Sequence, residues 1–172
     1  MKHISIDELL HFDFHDAVIE SIAFTDTEMA WVVSAVNALP ANTQNHHDVA
    51  MCIEKATITF ENPNIESMTF AAFAVHHSNG KIESHETVKV KESERIEILK
   101  KTTESNHIHG MEGFSATDDN QLQACFNIDS YADGFYYLDM KFAKVTVAWE
   151  NYSGKAWYET DEWKKRVEER KS

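Results

Sequence analysis

The stretch Cys52–Val75, CIEKATITFENPNIESMTFAAFAV, decides how this chain reads. Ala56, Ile58 and Phe60 fall on one parity, with Lys55, Thr57 and Thr59 on the other. Successive side chains of an extended chain point to opposite faces, so this is the pattern of a half-buried strand. Asn62-Pro63-Asn64 then breaks the run: proline cannot donate to a ladder, and asparagine tolerates tight-turn geometry. Ile65–Val75 resumes as a second apolar run, with Met68 and Phe70 on one face. Strand, turn, strand is predicted, and strands joined by so short a turn are expected to pair antiparallel.

The same pattern extends both ways. Upstream, Ala17–Thr25 and Glu28–Leu39 read as a hairpin turning at Asp26-Thr27, and Pro40–Val49 reads as a polar loop. Ser5-Ile6-Asp7-Glu8 fits a capping box, which predicts a short helix over 6–11. Downstream, Lys81–Ser105 is the most polar part of the chain. Its second half predicts a helix over 92–104, with lysines near the end where the helix dipole favours them. Strands are expected at 107–117, 121–129, 134–140 and 141–150, with a hairpin turn at Asp118-Asp119-Asn120. Asn151–Gly154 reads as a turn and Ala156-Trp157-Tyr158 as a last short strand. Thr160 then caps a helix over 160–170 that has acids in its first turn and docks by one edge, through Trp163 and Val167. The sum is a mainly β single domain over 1–172. It is an antiparallel β-sandwich or partly open barrel with short peripheral helices, or α+β if the 92–104 and 160–170 helices are counted.

Charge and cysteine use narrow the function. With 29 acidic against 16 basic residues the formal net charge is −13. Phosphate backbones repel such a chain, which speaks against nucleic acid and favours a basic protein partner. No run approaches the roughly 20 apolar residues that span a bilayer, and MKHISIDELLHF lacks the apolar core of a secretory signal. Cys52 and Cys125 lie far apart in apolar settings, read as buried thiols of a cytoplasmic protein. Strand edges left open by such a fold allow a homodimer.

Ten histidines raise the question of a metal. In HFDFHD, His11–Asp16, an extended backbone puts His11, Asp13 and His15 on one face and Phe12, Phe14 and Asp16 on the other. His107 and His109 share a face in the same way. If the two strands were neighbours, these five residues would form a site for zinc or another divalent metal, and so a metal-dependent enzyme. No His-Glu-x-x-His occurs, and the adjacent pairs His46-His47 and His76-His77 cannot chelate from one strand face. There is no Gly-x-Ser-x-Gly elbow, P-loop or dinucleotide fingerprint. The residues therefore point to a binding protein with no cofactor ahead of an enzyme. The late aromatics Phe135, Tyr136, Tyr137, Trp149, Tyr152, Trp157 and Tyr158 read as core packing ahead of a sugar-stacking row.

Phe14–Ile19, FHDAVI, resembles the opening of small uncharacterised bacterial β-rich domains in which a His-Asp-Ser/Ala turn begins the first strand. Ala56–Met68, ATITFENPNIESM, and Ser153–Glu159, SGKAWYE, resemble parts of the same kind of family. Some of its members are thought to act as immunity proteins of toxin systems. The resemblance implies a fold style and a protein-binding role toward a basic toxin, and carries over no catalytic residue. It also implies a structural part for His15 and Asp16 at the strand entrance: Asp16 bonding backbone N–H groups of the turn, His15 bonding back to the sheet.

Overall fold

A computed structural model describes residues 1–101, 106–130 and 134–170. Strand β1 (His3–Ile6) leads through a 3-10 turn at Leu9–His11 into the two-residue β2 (Phe12–Asp13). The expected hairpin follows as β3 (Ala17–Phe24) and β4 (Glu28–Ala38). Then come β5 (Met51–Glu61), β6 (Asn64–Phe70), β7 (Phe73–His76), β8 (Ile82–His85), β9 (Val88–Lys89) and helix α1 (Glu92–Lys101). Residues 102–104 of the expected helix lie outside the described residues. The second half holds β10 (Asn106–Ala116), β11 (Leu122–Ser130), β12 (Gly134–Phe142), β13 (Lys144–Trp149) and β14 (Tyr152–Lys155). A 3-10 turn at Trp157–Glu159 and helix α2 (Asp161–Glu169) close the chain.

Twelve strands form one antiparallel sheet in the order β1-β13-β5-β4-β3-β10-β11-β12-β6-β9, with β14 added to β5 and β2 to β4. The hairpin β7–β8 is a separate sheet. The large sheet is open, and it doubles over. Strands β5 and β6 are six steps apart in it, which would be ~28 Å if it were flat. Yet Glu61 and Asn64 are joined by a span of at most ~11 Å. Rings meet across the fold as well: Trp31 on β4 lies 4.9 Å from Phe126 on β11, and Phe60 on β5 lies 5.0 Å from Phe142 at the end of β12. The inward parity of the long strands supplies the core, including Met29, Trp31, Ile58, Phe60, Met68, Phe126, Leu138, Phe142 and Trp149. The mainly β antiparallel reading therefore holds, in the form of one curled, unclosed sheet around a single core.

Four local expectations are corrected. Ser5 is not a helix N-cap: it lies in β1 opposite Val147, because strand pairing satisfies its backbone. The Ser5 hydroxyl still donates to the Glu8 carboxylate, and Asp7 turns the chain with φ +57°. Asn62-Pro63-Asn64 does turn the chain, but β5 pairs with β4, β13 and β14 while β6 pairs with β12 and β9. That turn is a corner between the two sides of the curl, and so is Ala143 between β12 and β13. Ile65–Val75 is not one strand, since β6 ends at Phe70 and the β7–β8 hairpin beyond it is exposed throughout. The late turn and strand change places: 152–155 pairs with β5, and Trp157–Glu159 is the turn. The polar loop before β5 is exposed at His46, His47 and Asp48, as a polar loop should be, and is pinned by two buried asparagines. Buried Asn45 donates to the Ala38 and Val49 carbonyls at 2.9 and 3.0 Å, and buried Asn42 donates to Ser5 Oγ at 3.0 Å. Among the described residues no helix is long and apolar enough to cross a membrane.

Candidate functional site

HFDFHD is strand only at Phe12–Asp13: His11 ends the 3-10 turn, and His15 and Asp16 form a turn that leaves Asp16 exposed rather than on the inward face of Phe12 and Phe14. Phe12 and Phe14 turn inward, at 5.8 Å from the Trp149 ring and 6.2 Å from the Phe126 ring, and both are buried. That leaves Asp13 on the outer face. Directly opposed residues of paired strands share a face, so the register sets Asp13 (β2), Asn37 (β4), Cys52 (β5) and Gly154 (β14) in one row across the sheet.

Asp13 is the hub of this row. Its Oδ1 accepts from the His15 backbone N–H at 2.9 Å, the local turn bond that was expected of Asp16. Its Oδ2 accepts from the Tyr158 hydroxyl at 3.0 Å and from Asn37 Nδ2 at 3.4 Å. Burial, and the Asp13 carboxylate beside it, push the Tyr158 phenol well above its ordinary range, so it remains a donor. Asp16 instead takes the left-handed conformation, φ +71°, that starts β3, and Ala17 N–H closes the turn on the Phe14 carbonyl at 2.8 Å. His15 is exposed. Its Nδ1 lies 2.9 Å from Asp16 Oδ2 rather than bonding back to the sheet.

The metal candidates do not converge. The metal reading required the HFDFHD strand beside β10, but only Phe12–Asp13 of that stretch is strand and it pairs with β4, while β10 pairs with β3, Ile108 opposite Ala17. Three of the four imidazoles have a carboxylate of their own. His11 Nδ1 lies 3.6 Å from Glu8, His15 pairs with Asp16, and His109 Nε2 lies 3.6 Å from Asp129. His107 is exposed on the ladder opposite Val18 and Asp129. Among the described residues no group of three or more His, Cys, Asp or Glu side chains is placed to hold a metal ion. The cysteines are free and half-buried rather than buried. Burial and the neighbouring Asp139 push the Cys125 thiol up to about 12, the opposite of an activated nucleophile.

The C-terminal segment completes the site. Thr160 caps α2, its Oγ1 accepting from Trp163 N–H at 3.4 Å and donating to the Trp157 carbonyl at 2.7 Å. This holds Trp157 and Trp163 edge to face, with centroids 4.6 Å apart. A groove of about 310 Å³ lies between this segment and the turn, lined among others by His15, Asp16, Asn37, Cys52, Lys155 and Trp157. It shares Trp157 and Thr160 with a second groove of about 300 Å³ that runs on to Glu162, Trp163 and Arg166. Trp157 stands between them, 46% exposed. Reading the late aromatics as core missed this residue. The signal was its place beside Thr160, where a helix cap holds the preceding ring at the surface. Asn37 and Cys52 carried no signal at all, since only strand register brings them to Asp13. FHDA and SGKAWYE, a hundred and more residues apart, meet at this groove. No family model, curated protein or solved structure matches the chain.

Proposed function

We propose that this protein is a non-enzymatic binding module for a basic protein, held at the Trp157 groove. The observation that carries the reading is Trp157 itself. A large aromatic ring, fixed by a helix cap and left exposed between two adjoining grooves, has the character of an interface anchor. Its face can also take a lysine or arginine side chain. The Asp16 carboxylate at the groove wall supplies a hydrogen-bond acceptor for that cation, and the net charge of −13 steers a basic surface toward the molecule. The resemblance of FHDAVI and SGKAWYE to immunity-like domains supports a toxin as the partner class. Two free thiols support a reducing, cytoplasmic setting.

The test is a binding screen against purified basic nuclease toxin domains, with acidic proteins of similar size as controls. The expected result is a specific complex with a basic partner. It weakens as salt rises from about 0.05 to 0.5 M, and by about tenfold or more in Trp157→Ala. Binding that is indifferent to Trp157→Ala, or no complex with any basic protein in the panel, would refute the reading.

A further inference from the structure

At the far ends of β3 and β5 from the HFDFHD turn lies a separate groove of about 430 Å³. It is formed where the β3–β4 turn, the β5–β6 corner and the first turns of α1 meet. Its apolar wall is Phe24, Pro63, Ile65 and Ile96, which accounts for Ile96 standing 45% exposed. Three charged side chains line the same space: Arg95, Asp26 and Glu92. In a chain with 29 acids, none of the three is in an ion pair with another described residue. The Arg95 guanidinium is held by one bond, Nη1 to the Ile65 carbonyl at 2.6 Å, while its Nε is buried with no partner. A guanidinium offers a planar fork suited to a carboxylate, and Arg95 makes one bond, to a carbonyl, and meets no carboxylate among the described residues.

We propose that this groove binds a free apolar α-amino acid. Its carboxylate would sit on Arg95, its ammonium near Asp26 and Glu92, and its side chain on the wall of Phe24, Ile65 and Ile96. A cation and two anions set around an apolar wall match that zwitterion. They do not match a simple anion, which the two carboxylates would repel, or an amine alone, which would leave Arg95 unanswered. The site stands independently of the Trp157 groove and of any protein partner.

Calorimetric titration of the full chain tests it with four probes: L-phenylalanine, L-leucine, 3-phenylpropionate, which lacks the ammonium, and phenethylamine, which lacks the carboxylate. The expected result is saturable binding of at least one amino acid with Kd of about 1 mM or tighter. Each single-charge probe should bind about tenfold or more weakly, and Arg95→Lys, which keeps a cation and a donor to Ile65, should cost a similar factor with unchanged melting. No saturable heat with either amino acid, or single-charge probes binding as well as L-phenylalanine, would overturn the proposal without recourse to any variant. So would Arg95→Lys binding as wild type.

Discussion

Replacing Asp13 with alanine removes the acceptor shared by three donors on three different parts of the chain. The magnitude follows from where those donors are left. Asn37 is only 3% exposed, and its amide would lose its acceptor where water does not easily replace it, at a cost of about 1–3 kcal/mol. The 3.4 Å length of that bond argues for the lower half of the range. The Tyr158 hydroxyl is part-buried and its loss costs about 1 kcal/mol. The His15 N–H lies at the surface and turns to solvent for a few tenths. The sum is about 2–4 kcal/mol of stability, or a fall in Tm of about 5–15 °C for a domain of this size. Urea and thermal unfolding followed by tryptophan fluorescence measure it. Tyr158→Phe alone should cost about 1 kcal/mol, and the double variant should fall short of the sum of the singles by about 0.5–1 kcal/mol, since both remove the same bond. A loss below about 0.5 kcal/mol in Asp13→Ala, or strict additivity with Tyr158→Phe, would show that the C-terminal segment is not held to the HFDFHD turn through this carboxylate.

Two further outcomes follow from titrating groups. Burial alone would raise the Glu8 carboxyl, but bonds from the Ser5 and Thr43 hydroxyls and the Thr43 N–H outweigh it and hold the group below its ordinary value. A depressed carboxyl contributes stability above its unfolded pKa of about 4.3 and loses it as pH falls through the folded value. Stability between about pH 6 and pH 3 should therefore drop less steeply in Glu8→Gln than in wild type, and parallel curves would contradict that reading. With its thiol at about 12, Cys125 carries a thiolate fraction near ~10⁻⁴ at pH 8, so in a Cys52→Ser background disulfide reagents should label the native protein far more slowly than the unfolded chain. Asp139→Asn, which removes the repelling carboxylate, should speed that labelling, and an unchanged rate would assign the protection to burial alone.

Much of the fold was legible in the chain because strand alternation is a local property. Ala56, Ile58 and Phe60 were assigned inward from parity alone, and all three are buried. The Thr160 cap and the 118–120 turn were read from residue chemistry that needs no tertiary partner. The Ser5 box misled because its side-chain bond forms equally well beside a strand, and the strand's ladder outweighed one turn of helix. The placement of candidate residues was legible only in part. The metal reading needed the HFDFHD strand beside β10, but β2 pairs with β4 instead, and His11, His15 and His109 have each turned to a nearby carboxylate.

By itself, then, the sequence determined the element types, the inward faces of most strands and the acidic character of the surface, because these depend on residues within a few positions of one another. The tertiary structure alone decided which strands pair. A turn such as Asn62-Pro63-Asn64 reverses the chain equally well within a hairpin or across the curl of a sheet, and only burial of Phe60 against Phe126 and Phe142 selects the second. Register across β2, β4, β5 and β14 then brought Asp13, Asn37 and Cys52 into one row beneath Tyr158. No short-range pattern could contain that contact between residues more than a hundred positions apart.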